Sequence, residues 1–189
     1  MEKSSKTEKF PQKNSYKEEL KNAKDILRNA DFKVQSIFQD IRMGKAFNDN
    51  DAIALVDEIS ESVFRNSDAL ISISRLKNKD NYIYLHSVAV CALMVSLSKT
   101  LGYDKEFCKQ AGKAGLLHDI GKIFIPLDIL NKPGKLTDEE FDMVKQHPLQ
   151  GWQLLKESGD QFSEETLDVC LHHHEKFDGS GYPKGLKKD

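Results

Sequence analysis

Six histidines and one aspartate are the side chains from which this chain could build a metal site. No histidine occurs in the first 85 residues, and three are consecutive near the other end. Imidazole is the commonest nitrogen ligand for metals, and an aspartate beside it adds an oxygen that can bridge two cations. Any single histidine could instead be a core or surface residue with ordinary hydrogen bonds. The positions are His86, His118, His147, His172, His173 and His174.

His118 and Asp119 are adjacent in the segment GLLHDIGK. Neighbouring helical side chains point about 100° apart, so the two would not serve one ion as equals. A carboxylate that touches two metals removes this difficulty, with Gly121 loosening the end of the helix. Lys122 lies three residues after Asp119, on the same side of the helix, where it could reach the carboxylate or an anionic substrate. Without the neighbouring pair, Lys122 would be read as a solvated lysine at a helix end.

The segment HHEKFDGSGYPKGL carries turn-forming residues directly after the last histidines. Gly179 and Gly181 permit backbone angles that other residues avoid, so the chain after Glu175 could reverse sharply beside the histidines. Pro183 would stiffen the exit of this turn. Tyr182 offers an aromatic face on which a guanine base could stack. A simple surface turn is the alternative.

Apolar residues recur every three or four positions along most of the chain, which is typical of amphipathic helices. Thr137 with Glu140 has the form of a capping box, and Pro148 predicts a break between two helices. Residues 80–100 are apolar on nearly every side, which predicts a central helix. Since no run alternates between apolar and polar residues, the predicted fold is all-α. The predicted helices cover residues 15–43, 50 or 51 through 63, 67–76, 80–100, 104–122, 137–147, a stretch through 152–155, and 163–174.

The composition argues against several classes of protein. The 189 residues, 39% hydrophobic and 31% charged, fit a soluble protein with one core and at most a modest appendage. A net charge of -2 does not provide the excess positive charge that is typical of proteins that bind a nucleic acid polymer. No stretch approaches about 18 uninterrupted apolar residues, so no membrane role is predicted. Cys91, Cys108 and Cys170 are widely spaced, which predicts reduced core thiols in a cytoplasmic protein.

Four segments together resemble the HD superfamily of metal-dependent phosphohydrolases: LHSVAV, GLLHDIGK, KQHPLQG and HHEKFDGSGYP. The last resembles the signature of the HD-GYP branch, cyclic di-GMP phosphodiesterases of bacterial signalling. The resemblance covers about residues 70–186 and implies an HD-domain-like helical bundle preceded by an N-terminal helical segment. The predicted domains are a disordered tail at 1–14, an N-terminal helical segment at 15–79 and an HD-GYP domain at 80–189.

The resemblance also implies roles for individual residues. Asp119 and Lys122 would be catalytic, with Lys122 offsetting charge on the substrate phosphate. Gly181, Tyr182 and Pro183 would shape the loop beside the site and contact the substrate. Two divalent transition metals, iron or manganese, would lower the pKa of a water and hold the phosphate for in-line attack. The implied ligands of one metal are His86, His118 and Asp119, and those of the other are Asp119, His147, His173 and His174. His172 would then be the extra imidazole, unless the assignment of the three consecutive histidines is shifted by one residue.

The implied reaction is hydrolysis of cyclic di-GMP to linear pGpG, with GMP after a second round. Residues 15–79 could support a homodimer, and the GYP loop could contact a diguanylate cyclase or another signalling protein. Two alternatives stay open. One is another HD-type hydrolase that acts on nucleotides, and the other is a catalytically silent HD scaffold that binds partners.

Two positions depart from the family pattern. Tyr82 stands where some members carry a glutamate that helps to bind a third metal, which favours two metals here. The family also places a further aspartate ligand well downstream of the GYP loop, and Asp189 does not match that position. The sequence is therefore expected to be the amino-terminal portion of a longer protein, with weak metal binding and low turnover on its own.

Overall fold

The computed structural model describes residues 9–47, 49–74, 82–159 and 161–187. Within these ranges the protein is helical, and an isolated β-bridge joins Asp178 to Lys187 without forming a strand. The predicted all-α fold is therefore confirmed. The elements are α1 (Tyr16–Arg42), α2 (Asp49–Ser74), α3 (Tyr82–Thr100), α4 (Lys105–Leu117), a 3₁₀ helix (Ile120–Phe124), α5 (Leu127–Leu130), α6 (Asp138–Val144), α7 (His147–Glu157) and α8 (Glu164–His172).

Several helix ends follow the predicted local signals. Gly44 has a φ of +77° just after α1, Thr137 and Glu140 form the capping box of α6, and Ser163 caps α8. Pro148 differs from its prediction because it lies in the first turn of α7. Proline is tolerated there, since the first amides of a helix have no intrahelical acceptor. The break between α6 and α7 therefore falls before His147, which becomes the first residue of α7.

The two helices predicted for residues 50–76 form one element with a kink. Asn66 has non-helical backbone angles, with φ -161° and ψ 103°, next to the predicted cap Ser67. The Asn66 side-chain amide donates to the Asn14 carbonyl at 3.1 Å, and Lys99 Nζ donates to the Phe64 carbonyl at 2.9 Å. These contacts engage polar groups around the kink. Residues 75–81, which contain the end of the second predicted helix, lie outside the described residues.

Backbone contacts divide the chain into two units. The first unit comprises the residues up to Val34 together with Asn50–Leu116. The second unit comprises Gln35–Asp49 together with the residues from Leu117 onward. The units are interleaved along the chain, whereas the predicted domains are consecutive. The domain boundaries after residues 14 and 79 therefore stay a prediction.

Apolar faces of α1, α2 and α3 build the core of the first unit. On α3, Cys91 and Val95 are fully buried, whereas Leu93, Leu97 and Leu101 are 41%, 56% and 65% exposed. The apolar sequence of α3 therefore does not correspond to burial on every side in the described protein. Among the described helices, none has the length and apolar character that crossing a bilayer requires.

A buried ion pair joins α1 to α2 within the first unit. The Glu19 side chain is 0% exposed, and Arg65 donates to it through Nε at 2.8 Å and Nη2 at 2.9 Å. Ser62 Oγ and Asn14 Nδ2 donate to the same carboxylate at 2.8 and 2.7 Å. Both oxygens of Glu19 thus accept from protein donors, which compensates for the cost of burying the charge.

Residues 9–15 precede α1 without helical structure. Phe10 packs edge-on against Phe64, with ring centroids 4.9 Å apart, and the Asn14 amide donates to the Arg65 carbonyl at 3.2 Å. This described part of the predicted tail is packed on α2, because Phe10 finds an aromatic partner there. Residues 1–8 lie outside the described residues.

The second unit is built around the 3₁₀ helix, α7 and α8. Ile120 and Ile123 of the 3₁₀ helix are buried, as are Leu155 of α7 and Cys170 of α8. These apolar side chains fix the three elements that carry Lys122 and His147 and that directly adjoin Asp119 and His173.

Candidate metal centre

His118 and Asp119 occupy the turn between α4 and the 3₁₀ helix. They were predicted to lie in a helix whose end Gly121 would loosen, and this prediction is wrong because α4 ends before them. Gly121 instead permits close packing, since a Cβ there would overlap the His147 carbonyl and the Gly151 amide. The turn frees the pair from the angle of about 100° that separates neighbouring helical side chains.

Four side chains converge beside this turn. The potential ligand atoms of Asp119, His147, His173 and His174 all lie within 4.8 Å of one another. Asp119 Oδ1 is 3.2 Å from His147 Nε2 and 3.5 Å from His173 Nε2, and these two nitrogens are 3.2 Å apart. The side chains of Asp119 and His147 are 2% and 1% exposed. The structure thus brings together the complete set predicted for one of the two metals.

Backbone carbonyls select the tautomers of two of these rings. His147 Nδ1 lies 2.6 Å from the Val144 carbonyl oxygen, and His173 Nδ1 lies 3.0 Å from the Cys170 carbonyl oxygen. Because a carbonyl oxygen only accepts, each Nδ1 carries the proton, and each Nε2 of a neutral ring keeps its lone pair. These lone pairs face each other and Asp119. A cation among the three atoms would relieve their repulsion, and a set of imidazoles with a carboxylate suits a divalent metal.

The second oxygen of Asp119 faces two other groups. Oδ2 lies 3.1 Å from His118 Nε2 and 2.6 Å from Lys122 Nζ. Burial alone would raise the pKa of Asp119, but the His118 imidazole and the Lys122 ammonium beside Oδ2 outweigh burial and hold the pKa well below its usual range. Asp119 is therefore ionised, and its two oxygens face different groups, as in a bridging carboxylate.

His174 contributes a third imidazole, which is held by Tyr182. The two rings stack with centroids 4.5 Å and planes 21° apart. Burial, together with the neighbouring His173 and His147, lowers the pKa of His174 to about 4. The ring is therefore neutral near pH 7, which is the form that binds metal. One face of Tyr182 thus orients His174 and is covered by it.

The other predicted ligands are placed differently. His172 turns away from the cluster, because its Nδ1 lies 2.8 Å from Asp168 Oδ1 on the preceding turn of α8. The structure therefore brings His173 and His174, and not His172, to Asp119. His86 lies on α3 in the first unit, where it is partly buried, and its assignment as a ligand stays a prediction.

Glu175 organises the loop after the histidines, although no role was predicted for it. Its carboxylate accepts from the Lys184 amide at 2.6 Å and from the Leu186 amide at 2.9 Å. The predicted turn also requires its glycines. Gly179 has a φ of +77°, and a Cβ on Gly181 would overlap the backbone of residues 174–176. The only sequence signal for Glu175 was its place between the histidines and this turn.

Gly151 is another residue that the sequence analysis missed. A Cβ at this position would lie 2.9 Å from both Cys170 Sγ and the Gly121 amide nitrogen. Gly151 therefore lets α7 approach both α8 and the 3₁₀ helix, which brings His147 to its partners. The available signal was its spacing of four residues from His147, which places both on one face of α7.

Known proteins with similar sequences include two curated phosphodiesterases. The chain is 50% identical over 179 residues to cyclic di-GMP phosphodiesterase PA4108 of Pseudomonas aeruginosa, a match that covers 95% of this chain and 43% of that protein. It is 36% identical over 140 residues to a cyclic di-GMP phosphodiesterase of Thermotoga maritima, covering 71% of this chain and 38% of that protein. The chain thus spans less than half the length of these relatives.

A solved structure with a similar fold is Bd1817, an HDG"Y"P protein from Bdellovibrio bacteriovorus. The TM-score is 0.70 at 25% identity, and the match covers 89% of this chain and 54% of that one. Residues 66–189 match the family model described as HD domain. Because that match covers more than half of the chain and includes every residue of the cluster, the chain belongs to the HD domain family, and the predicted resemblance to its HD-GYP branch is confirmed.

Proposed function

We propose that this chain carries the metal centre of an HD-GYP phosphodiesterase that hydrolyses cyclic di-GMP to linear pGpG, GMP or both in bacterial signalling. One observation carries the proposal: the buried Asp119 directs Oδ1 at the Nε2 atoms of His147 and His173. The HD domain implies divalent metal binding. Two relatives named as cyclic di-GMP phosphodiesterases support the choice of substrate.

The proposed ligands follow the two sets predicted from the sequence. The convergence of four side chains within 4.8 Å supports the second set. Bound iron or manganese would supply an activated water and positive charge for the phosphodiester. Asp119 would bridge, because its oxygens face different groups. The sets are His86, His118 and Asp119 for one metal, and Asp119, His147, His173 and His174 for the other.

Lys122 is the proposed partner of the substrate phosphate. Its ammonium lies 2.6 Å from Asp119 Oδ2, and its side chain is 21% exposed, so the charge lies at the metal centre while part of the side chain reaches solvent. A fixed cation there would offset the negative charge that grows on the phosphate oxygens during attack. Asp119 and Lys122 are therefore the proposed catalytic residues.

Gly181, Tyr182 and Pro183 are proposed to form the substrate side of the site together with Lys122. Tyr182 covers His174 with one face, so a guanine base would meet its remaining surface. Phe141 approaches Tyr182 edge-on, with centroids 6.5 Å apart, and is 46% exposed. A homodimer, contact with a diguanylate cyclase through the GYP loop, and a cytoplasmic location stay predictions.

The test is hydrolysis of cyclic di-GMP by chain purified anaerobically with iron(II) or manganese(II). We expect bound transition metal by mass spectrometry and linear pGpG or GMP by chromatography. His118→Ala should abolish hydrolysis and reduce the bound metal. Wild-type chain that binds no metal and leaves cyclic di-GMP intact would contradict the proposal.

The same assay separates the two alternatives. Faster hydrolysis of nucleoside triphosphates than of cyclic di-GMP would assign the chain to another group of HD-type phosphohydrolases. Binding of cyclic di-GMP by metal-loaded chain with no product from any nucleotide would indicate a silent scaffold.

A further inference from the structure

The last turn of α1 contacts the segment that carries Lys122. Arg42 Nε donates to the Ile123 carbonyl at 2.8 Å. Its Nη2 donates to the Ile125 carbonyl at 3.3 Å and to the Lys122 carbonyl at 3.5 Å. The three acceptors lie at the end of the 3₁₀ helix, where the Lys122 carbonyl also accepts from the Ile125 amide at 3.2 Å. One planar guanidinium therefore contacts three carbonyls within four residues and can hold their relative positions.

Arg42 itself stands on an anchored helix end. The carbonyls of Ile41 and Asp40 accept from the Gly44 and Lys45 amides at 2.9 and 3.0 Å. Because backbone donors satisfy these carbonyls at the end of α1, the Arg42 guanidinium is not required to cap them. The chain that follows is held by Phe47, which packs against Phe162 with centroids 5.6 Å apart. The guanidinium thus contacts the 3₁₀ helix from a fixed position in the second unit.

The 3₁₀ helix is also held by α7. Gly121 packs so closely against the His147 carbonyl that a Cβ would overlap it. Between this contact and Arg42, the backbone places Asp119 Oδ2 and Lys122 Nζ 2.6 Å apart. A shift of this segment would therefore move a proposed bridging carboxylate and a proposed phosphate-binding cation together.

We propose that Arg42 is a positioning residue for the reaction, which fixes the segment from Asp119 to Ile125 from the side of α1. The inference rests on the proposed function. The proposal gives the last turn of α1 a role in the site, although the sequence analysis assigned no catalytic residue or metal ligand within residues 15–79. Arg42 donates to backbone carbonyls and would act through the backbone of Lys122 and Ile123.

The experiment compares wild-type chain with Arg42→Gln and Arg42→Lys. Arg28→Gln is the matched control, because Arg28 lies on the same helix and pairs with Asp25 at 3.7 Å on the surface. Thr137→Ala controls for stability, because it removes the α6 capping box in the same unit. The readouts are amide hydrogen exchange at Lys122 and Ile125, the visible spectrum of cobalt(II)-loaded chain, and kcat and KM for cyclic di-GMP and bis(p-nitrophenyl) phosphate.

For Arg42→Gln we expect exchange at least about tenfold faster at both amides, an altered cobalt spectrum, and kcat lower by about tenfold or more with KM nearly unchanged. Arg42→Lys should be intermediate, since an ammonium lacks the planar fork. Arg28→Gln should resemble wild type, and Thr137→Ala should change exchange and the cobalt spectrum less than Arg42→Gln does. If the wild-type chain cleaves neither ester, the proposed function fails. Amide hydrogen exchange and the cobalt spectrum still decide the role of Arg42 in that case. Arg42→Gln with wild-type exchange and spectrum, or with changes no larger than those of Thr137→Ala, would overturn the inference.

Discussion

Glu19 and Asp119 are both buried carboxylates, but the groups around them differ in kind. Glu19 accepts from the donors of Arg65, Ser62 and Asn14, all at 2.7 to 2.9 Å. Asp119 Oδ1 faces the Nε2 atoms of two histidines whose Nδ1 protons are donated to backbone carbonyls. Protein donors satisfy both oxygens of Glu19, whereas Asp119 accepts from Lys122 at Oδ2 while its Oδ1 faces further electron-pair donors.

This difference shows how a buried charge can be assigned to stability or to function. A buried carboxylate with enough protein donors closes a structural network, because its hydration is replaced internally. A buried carboxylate grouped with lone pairs favours a cation. We therefore expect changes at Glu19 to alter folding and changes at Asp119 to alter metal binding.

The largest expected effect comes from Asp119→Asn, which keeps the shape of the side chain and removes its charge. Removal of outer-shell partners costs about 10- to 100-fold in metal affinity, so loss of a bridging ligand should cost more than about 100-fold. Hydrolysis should fall in parallel. Calorimetric titration with manganese(II) checks this, and near-wild-type affinity in the variant would remove Asp119 from the centre.

The consecutive histidines provide a matched pair for the next prediction. His173→Gln should weaken metal binding by more than about 100-fold, because its Nε2 faces Asp119. His172→Gln should leave affinity within about twofold, because His172 contacts Asp168 instead. The same titration measures both. Equal losses in the two variants would mean that the register of the three histidines is wrong.

Glu19→Gln should lower the free energy of unfolding by about 2 kcal/mol, because hydrogen bonds to a charged group are lost in a buried site. Arg65 can be partly rehydrated, since its side chain is 26% exposed, which keeps the cost moderate. Urea unfolding of metal-free chain measures the change. Metal affinity should stay at the wild-type value, and a loss comparable to that of Asp119→Asn would erase the contrast between the two carboxylates.

The smallest expected effect is the pH dependence of the Glu19 network. Burial alone would raise the pKa of Glu19, but hydrogen bonds from Arg65, Ser62 and Asn14 lower it below the usual 4.5. The native state therefore binds fewer protons than the unfolded state, so this stabilisation is present above about pH 4.5 and is lost as the pH falls through the folded pKa. The urea midpoints of wild type and Glu19→Gln should therefore converge as the pH falls below about 4.5. A constant difference between them down to about pH 3 would contradict the conclusion that the folded protein lowers the pKa of Glu19.

Local signals in the sequence were enough to predict much of the fold. Gly44, Thr137 and Ser163 end or begin helices where their turn and capping chemistry indicates. The convergence of His147, His173 and His174 on Asp119 was also predicted, from the family resemblance. Such residues are recognisable because their types act over a few positions or form a specific motif.

Features that depend on contacts distant in sequence were not predictable in this way. Gly121 was interpreted as a loosened helix end, whereas its role depends on the backbone of α7. The Glu19 network joins residues more than 40 positions apart, and Glu19 alone resembles any glutamate on an amphipathic helix. Arg42 likewise shows no motif, because its partners are backbone carbonyls about 80 residues away.

Nitrogen NMR of the histidine rings, before and after addition of zinc(II), tests the assignment of the Asp119 cluster most directly. We predict that at pH 8 His147 and His173 carry their protons on Nδ1, and that zinc shifts the signal of each Nε2. Rings protonated on Nε2, with no change on zinc addition, would contradict the conclusion that Asp119 and these histidines form a cation site.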